Sequence, residues 1–202
     1  MQDVVLYATD TMADWEYGYL VNGISLAGQA APGRHRLRVL GGGTGEVTTM
    51  GGLRLGTDGA IADVDPDAVA MLVLPGAETW AEGHSEVLRL AADLLTRGTP
   101  VAAICGATLG LARAGLLDDR EHTSNAPEFQ AVAGYGGAAR YREERVVADR
   151  DLITAPATMP VDFAATVFRR LELFPVPVVD AWYGLYTTGE KKYFDQLTAD
   201  AA

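Results

Sequence analysis

The chain contains one cysteine, and its surroundings are typical of a reactive thiol. Cys105 follows the short apolar run Val101–Ile104 and precedes a segment rich in small residues that begins at Gly106. A buried strand that turns directly into a helix would hold the sulfur at the head of a sheet. There the unpaired N–H groups and the positive dipole end of the helix favour a thiolate over a thiol. The pattern predicts a nucleophile at Cys105, and the alternative is an inert core cysteine.

An acidic side chain is expected beside that sulfur. Glu16 stands where the loop after the first predicted strand enters a helix, so its carboxyl could approach Cys105. Two acidic groups in a shared, partly desolvated site cannot both ionise freely. A protonated Glu16 that donates a hydrogen bond to the thiolate would satisfy this constraint and could transfer a proton. The alternative role of Glu16 and Asp14 is to stabilise the helix N-terminus by their charge.

Other residues at the same predicted edge of the sheet could hold a substrate or its developing charge. The backbone amides of Gly76, Ala77 and Gly106 are candidate oxyanion donors, although a Pro-Gly pair after a strand usually marks only a turn. Thr158 has the alternative role of a helix cap. The side chains expected to orient a substrate follow different predicted strands and are Asn125, Thr158, His84 and Asp14.

Histidine is the usual base for a cysteine nucleophile, and the chain offers three. His84 lies just past the loop that follows Gly76 and could reach the predicted site. A strand at His122 could point that ring into the core, and His35 precedes the second predicted strand, at the opposite edge of the sheet. No His, Cys or carboxylate pair has the close spacing that zinc sites use, so we expect neither a metal nor another cofactor.

Composition limits the class of protein. At 202 residues and 49% hydrophobic content, the chain can bury a full core, and we expect a single domain over residues 1–202. An aromatic extension, residues 175–202, is expected to pack on it. A formal net charge of −11 opposes binding to nucleic acid and to anionic membranes. One cysteine, no basic leader and no run of about 18 apolar residues indicate a cytoplasmic protein.

The order of predicted elements indicates the fold class. Strands that alternate with helices favour an α/β fold, a doubly wound and mostly parallel sheet with helices on both faces. A glycine-rich stretch should add a small hairpin of residues 46–50 and 53–55. The predicted strands cover residues 3–8, 36–40, 69–74, 101–104, 121–124, 141–148 and 152–155. The predicted helices cover residues 15–27, 85–96, 106–116, 127–132 and 160–171.

Four segments resemble the ThiJ/PfpI superfamily, in the family's order and over residues 4–173. They are ADWE in the first loop, LVLPGA, AAICGA at the corner and LITAPAT in the last strand. The resemblance implies a flavodoxin-like fold shared with class I glutamine-amidotransferase domains. It also implies that Cys105 is the reactive cysteine, Glu16 its partner carboxylate, and Gly76 with Ala77 the oxyanion-side turn. The chain is most similar to a bacterial glutamine-amidotransferase-like subgroup.

Two positions depart from the family pattern. Members similar to proteases carry histidine directly after the cysteine, where this chain has Gly106. Other members place histidine at the end of the following strand, where this chain has Asn125. Neither familiar Cys-His dyad is present, which argues against protease, glyoxalase and deglycase chemistry. Amidotransferase action would also require a Cys-His-Glu triad and usually a synthase partner.

Three functions stay open at this point. The first is a cysteine-dependent enzyme, a hydrolase, amidase or lyase, that acts on a small carbonyl-type substrate. In it Cys105 attacks, Glu16 moves the proton and the amides near Gly76 hold the charge. The second is a redox or stress-response protein in which Cys105 is oxidised reversibly. The third is a binding domain with a vestigial site. Relatives are commonly homodimers, so a homodimer is expected.

Overall fold

Nine strands occur in residues 1–199, which are the residues that the computed structural model describes. Seven of them form one sheet in the order β5-β2-β1-β6-β7-β9-β8, and β3 and β4 form a separate antiparallel hairpin. Neighbours in the large sheet are parallel except β8 and β9. The strands are β1 (Gln2–Ala8), β2 (His35–Gly41), β3 (Glu46–Thr48), β4 (Arg54–Gly56), β5 (Gly59–Ala60), β6 (Val69–Leu74), β7 (Val101–Ile104), β8 (Val147–Asp149) and β9 (Leu152–Ala155).

Helices cover both faces of this sheet and enclose two apolar clusters. One cluster includes Leu20 and Phe168, and the other includes Leu94 and Leu111. Strands buried on both faces explain the consecutive apolar residues of β1, β6 and β7. The predicted fold class is therefore confirmed. The helices are α1 (Asp14–Ala30), α2 (Ser85–Thr96), α3 (Gly106–Arg113), α4 (Pro127–Ala131), α5 (Pro160–Arg170), α6 (Val176–Thr188) and α7 (Lys191–Ala199).

Two predicted strands are wrong. Residues 121–124 form no strand, and the long strand predicted over residues 141–148 is reduced to β8. The segments 121–124 and 141–148 pair through an isolated β-bridge between His122 and Tyr141. The sequence Arg-Glu-Glu-Arg at residues 142–145 explains the difference, because charged side chains that lie largely in water do not favour a continuous ladder.

The aromatic residues near the C-terminus pack on the helices of one sheet face. The ring of Trp182 in α6 meets the ring of Phe168 in α5 edge-on, with centroids 5.0 Å apart. It also contacts Tyr19 in α1, at 5.9 Å. Residues 200–202 of the predicted extension lie outside the described residues. Within residues 1–199, no helix has both the length and the apolar character that a membrane span requires.

The contact between α1 and α5 generates a stability prediction. A methyl group at Gly23 would collide with the ring of Phe168, which is buried against Phe174 and Trp182 and has little room to move. We expect Gly23→Ala to lower the free energy of unfolding by about 1–3 kcal/mol. The matched control is Gly18→Ala in the same helix, where nothing lies within 4 Å of the new methyl group.

Gly18→Ala should instead raise stability by about 0.5–1 kcal/mol, because alanine loses less backbone entropy in a helix. Urea denaturation followed by circular dichroism measures both free energies. Equal effects of the two substitutions would contradict the packing described for Gly23.

Candidate active site

Four neighbouring parallel strands end at one edge of the sheet and bring distant segments together. β1, β6, β7 and β9 run in the same direction and lie next to one another. The segments that follow them carry Glu16 at the start of α1, Gly76 after β6, Cys105 after β7 and Ala157 after β9. This edge is where open α/β sheets bind ligands.

Cys105 occupies a strained corner between β7 and α3. Its backbone has φ 57° and ψ −125°, a left-handed-side conformation that a residue with a Cβ adopts at a cost. Hydrogen bonds hold the corner in place: Cys105 N donates to Ala155 O at 2.9 Å, and Thr108 Oγ1 donates to Cys105 O at 2.7 Å. Thr108 Oγ1 is also hydrogen-bonded to Ser124 Oγ. The corner is therefore held both by β9, through Ala155, and by the segment that contains Ser124.

Gly76 lies against both the sulfur and the carboxyl. A Cβ at this position would lie 2.7 Å from Cys105 Cβ, 2.8 Å from Glu16 Oε2 and 2.9 Å from Cys105 Sγ. Only glycine leaves room for the two side chains to meet here. The amide of Gly76 donates to Glu16 Oε2 at 2.6 Å and fixes the carboxyl in place. Gly76 is therefore a positioning residue.

The carboxyl of Glu16 is removed from water. Glu16 is fully buried, and its Oε1 has no hydrogen-bond partner among the described residues. Burial disfavours the charged form and raises the pKa of Glu16 to about 7, although the Gly76 amide and the thiol of Cys105 oppose the shift. The carboxyl thus changes protonation near neutral pH.

The pKa of the Cys105 thiol is raised, whereas its position at a helix N-terminus predicts a lowered pKa. Burial, followed by the nearby Glu16 carboxylate, raises the pKa of Cys105 to about 11. Hydrogen bonds from Asn125 and from the Gly106 amide lower the pKa but do not compensate. The expected resting thiolate is therefore not supported, because desolvation outweighs the helix dipole at this half-buried sulfur.

Asn125 stands where some relatives place a histidine. Its Nδ2 donates to Cys105 Sγ at 3.3 Å, and its Oδ1 accepts from Ala157 N at 2.8 Å. The second bond fixes which end of the amide faces the sulfur. Trp15 Nε1 donates to Ala157 O at 3.2 Å, so the loop after β9 is held from two sides. The sequence carried no signal for this role of Trp15.

The oxyanion prediction changes in one respect. The amide of Gly76 is already occupied by Glu16, so Gly76 cannot serve as an oxyanion donor. Ala77 N remains, and it lies 3.2 Å from the position of a Cβ at Gly106. The Gly106 amide hydrogen-bonds the sulfur, so it can turn to an oxyanion only as the sulfur attacks. Buried Trp80 supports this turn by donating from Nε1 to Pro75 O at 2.9 Å. The close approach of Trp80 to Gly110 could not be inferred from the sequence.

Two of the residues expected to orient a substrate, His84 and Asp14, make other contacts. His84 bonds Tyr7 and Thr79 through its two ring nitrogens, both at 3.0 Å, and stacks on Trp80, so the ring is held away from the sulfur. Asp14 Oδ2 accepts from Gly51 N at 2.7 Å and holds the β3–β4 hairpin instead. Thr158 is exposed and does not cap α5, whose N-cap is Met159.

The other histidines do not provide a base either. The nitrogens of His122 contact Arg120 O at 2.8 Å and Tyr135 OH at 3.0 Å, in the interior. His35 begins β2, at the opposite end of the sheet. Within residues 1–199, no histidine hydrogen-bonds to Cys105, and no group of three His, Cys, Asp or Glu side chains is arranged to hold a metal.

A cysteine at a sharp strand-to-helix turn above a parallel sheet, with a buried acid beside it, is typical of one class of α/β proteins. Comparison with known proteins identifies the family. The family model described as DJ-1/PfpI family matches residues 2–170, so the chain belongs to the DJ-1/PfpI family. It is 36% identical over 199 residues to a Bacillus subtilis protein named "Uncharacterized protease YoaZ", covering 96% of this chain and 95% of that protein. Deglycase TK1284 of Thermococcus kodakarensis is 28% identical over 154 residues, 75% of this chain and 88% of that protein.

Solved structures agree with this assignment. The thiJ/pfpI family protein from Bacillus anthracis superposes with a TM-score of 0.91 at 36% identity, over 98% of this chain and 97% of that one. The DJ-1 superfamily protein Atu0886 from Agrobacterium tumefaciens gives 0.82 at 29% identity, over 94% and 99%. The resemblance found in the sequence is therefore confirmed.

The buried carboxyl predicts a pH-dependent stability difference. Because folding raises the pKa of Glu16 from 4.5 to about 7, its neutral form stabilises the fold below pH 4.5, and that contribution is lost as pH rises through 7. The loss is about 3 kcal/mol. Glu16→Gln cannot ionise, so its melting temperature relative to wild type should rise by several degrees between pH 5 and pH 8.

Thermal denaturation at the two pH values measures this difference. Exposed Glu82→Gln is the matched control, and its melting temperature relative to wild type should not change with pH by a similar amount. A constant difference for Glu16→Gln across this range would contradict the raised pKa.

Proposed function

We propose that the protein is a cysteine-dependent enzyme, a hydrolase, amidase or lyase, that acts on a small carbonyl-type substrate. The observation that carries the proposal is the fully buried Glu16 carboxyl, fixed by Gly76 against the sulfur, with a pKa near neutrality. A general base is most effective when its pKa lies near the working pH. The names of relatives, which include a protease and a deglycase, also support an enzyme.

The geometry supports a mechanism with a single proton carrier. Cys105 Sγ attacks the carbonyl carbon while the thiol proton passes to the Glu16 carboxylate. The carbonyl oxygen becomes an oxyanion and accepts hydrogen bonds from the amides of Ala77 and Gly106. Glu16 then returns the proton to the leaving group as the bond to that group breaks. In hydrolysis, water releases the acyl group, and its proton passes through Glu16 back to the sulfur.

The redox alternative fits the site less well. Oxidation of a cysteine begins from its thiolate, and sensor cysteines therefore have low pKa values and ready access to solvent. Burial and Glu16 raise the pKa of Cys105 instead. A resting thiol that is deprotonated only during attack supports the enzyme. The small-molecule substrate, the homodimer and the cytoplasmic location stay predictions, as does the expectation of no nucleic-acid partner.

Activity on a panel of amides, reactive carbonyl compounds and isonitriles tests the proposal. We expect Cys105→Ser to abolish turnover of the substrate that responds, and Glu16→Gln to lower kcat/KM by about 10²–10⁴-fold, the usual contribution of a general base. Glu82→Gln should leave both kcat and KM unchanged. Turnover that survives in Cys105→Ser would exclude the proposed nucleophile.

The base role of Glu16 has a separate kinetic signature. With one cysteine in the chain, intact mass reports alkylation of Cys105 by iodoacetamide without ambiguity. The alkylation rate of wild type should rise with an inflection near pH 7, where Glu16 loses its proton and can accept that of the thiol. Glu16→Gln should lack this inflection. If the variant keeps it, another group activates the thiol.

A further inference from the structure

A cleft of about 610 Å³ lies next to Asn125, on the side of β9. Cys105 does not line it, but Asn125 does, and Asn125 also donates to Cys105 Sγ, so one side chain connects the cleft with the site around the sulfur. The opposite side is formed by the loop after β9, with Thr158 and Met159. The volume is within the range of small-molecule sites.

Acidic residues outnumber basic ones in the lining of this cleft. Glu128, Glu143 and Glu144 line it, and their side chains are exposed at its mouth. Arg145 also lines it, but its guanidinium donates two hydrogen bonds of 2.7 Å to the buried carboxylate of Asp162. This pair is neutral as a whole. The residues that line the cleft therefore carry three carboxylates that form no ion pair with any residue in the described range 1–199.

Positive charge near the cleft is engaged elsewhere. Arg142, which precedes the two glutamates in the chain, pairs with Glu121. Tyr141 adds an aromatic side chain to the lining, and its hydroxyl donates to Ser124 O at 3.2 Å. A cleft lined by charges of one sign concentrates ligands of the opposite sign and repels those of its own. Acidic side chains with an aromatic neighbour suit an ammonium or a guanidinium group.

We propose that this cleft selects substrates that carry a cationic group, a primary ammonium or a guanidinium, on the part of the molecule distal to the attacked carbonyl. The proposal rests on the proposed function, since it names the substrate class of that site. Asn125 marks the boundary between the sulfur and the cleft. Its neutral amide contacts the sulfur, and the carboxylates of the cleft lie on the other side of Asn125. Anionic substrates of the same size are disfavoured by the same field.

Charged thiol reagents test the cleft without any need for turnover. Trimethylammonioethyl and sulfonatoethyl methanethiosulfonate are similar in size and opposite in charge. In each case Sγ attacks the sulfenyl sulfur, a disulfide forms, methanesulfinate leaves, and the thiol proton passes to Glu16 or to water. The quantity measured is the ratio of the cationic to the anionic rate constant, divided by the same ratio for mercaptoethanol.

We expect this ratio to exceed one in wild type and to fall at least about threefold in Glu143→Gln/Glu144→Gln at low ionic strength. Added salt should reduce the difference. Glu16 also favours the cationic reagent, so the comparison of variants, not the wild-type value, isolates the cleft. Glu172→Gln is the control: it removes one charge, against two in the double variant, at the opposite end of the sheet, where Glu172 faces Arg34. The fall in the ratio is therefore compared per charge removed.

A ratio in the double variant equal to that of wild type would overturn the proposal. A sulfur that neither reagent modifies would overturn it together with the proposed nucleophile. If the panel of substrates shows no turnover but the ratio falls as expected, the proposed function fails and the charge selection of the cleft stands. Circular dichroism of the variants verifies that these exposed substitutions leave the fold intact.

Discussion

The site depends on the contact between the Glu16 carboxyl and the sulfur of Cys105. This contact is possible because Gly76, which lies against both groups, has no side chain. A carboxyl in the interior is unfavourable when it is charged, and one hydrogen bond from the Gly76 amide compensates only in part. The remaining penalty is what brings its pKa to about 7. In the proposed mechanism stability and reactivity have a common origin, because the desolvation that destabilises the fold when Glu16 is charged would also make its carboxylate a competent base.

The rest of the edge serves to keep this contact short. Trp80 fills the space that Gly110 leaves open and holds Pro75 by a hydrogen bond, which fixes the turn that carries Gly76. On the other side, Asn125 accepts from the amide of Ala157 and Trp15 donates to the carbonyl oxygen of the same residue. A strained backbone such as that of Cys105 persists when its neighbours determine its position in this way.

The sequence predicts those features that depend on local pattern. Consecutive apolar residues in Val69–Leu74 indicate a buried parallel strand, and Gly106 after Cys105 indicates the corner, because each signal lies within a few residues. Glu16 follows from the topology of such sheets. The occupation of the Gly76 amide and the stacking of His84 on Trp80 could not be predicted, since they depend on how loops far apart in sequence pack. The charged stretch 142–145 shortens the strand predicted over residues 141–148 to β8.

An asparagine at position 125 decides the kind of chemistry that remains. A histidine there could carry a positive charge and stabilise a resting thiolate as an ion pair, whereas an amide offers a hydrogen bond without charge. Glu16 is then the titratable side chain that contacts the sulfur, and its negative form opposes ionisation of the thiol. In the mechanism we propose, deprotonation therefore accompanies attack, and a substrate must be in place before the sulfur becomes nucleophilic. The acidic cleft strengthens this requirement, because its field also disfavours a free thiolate.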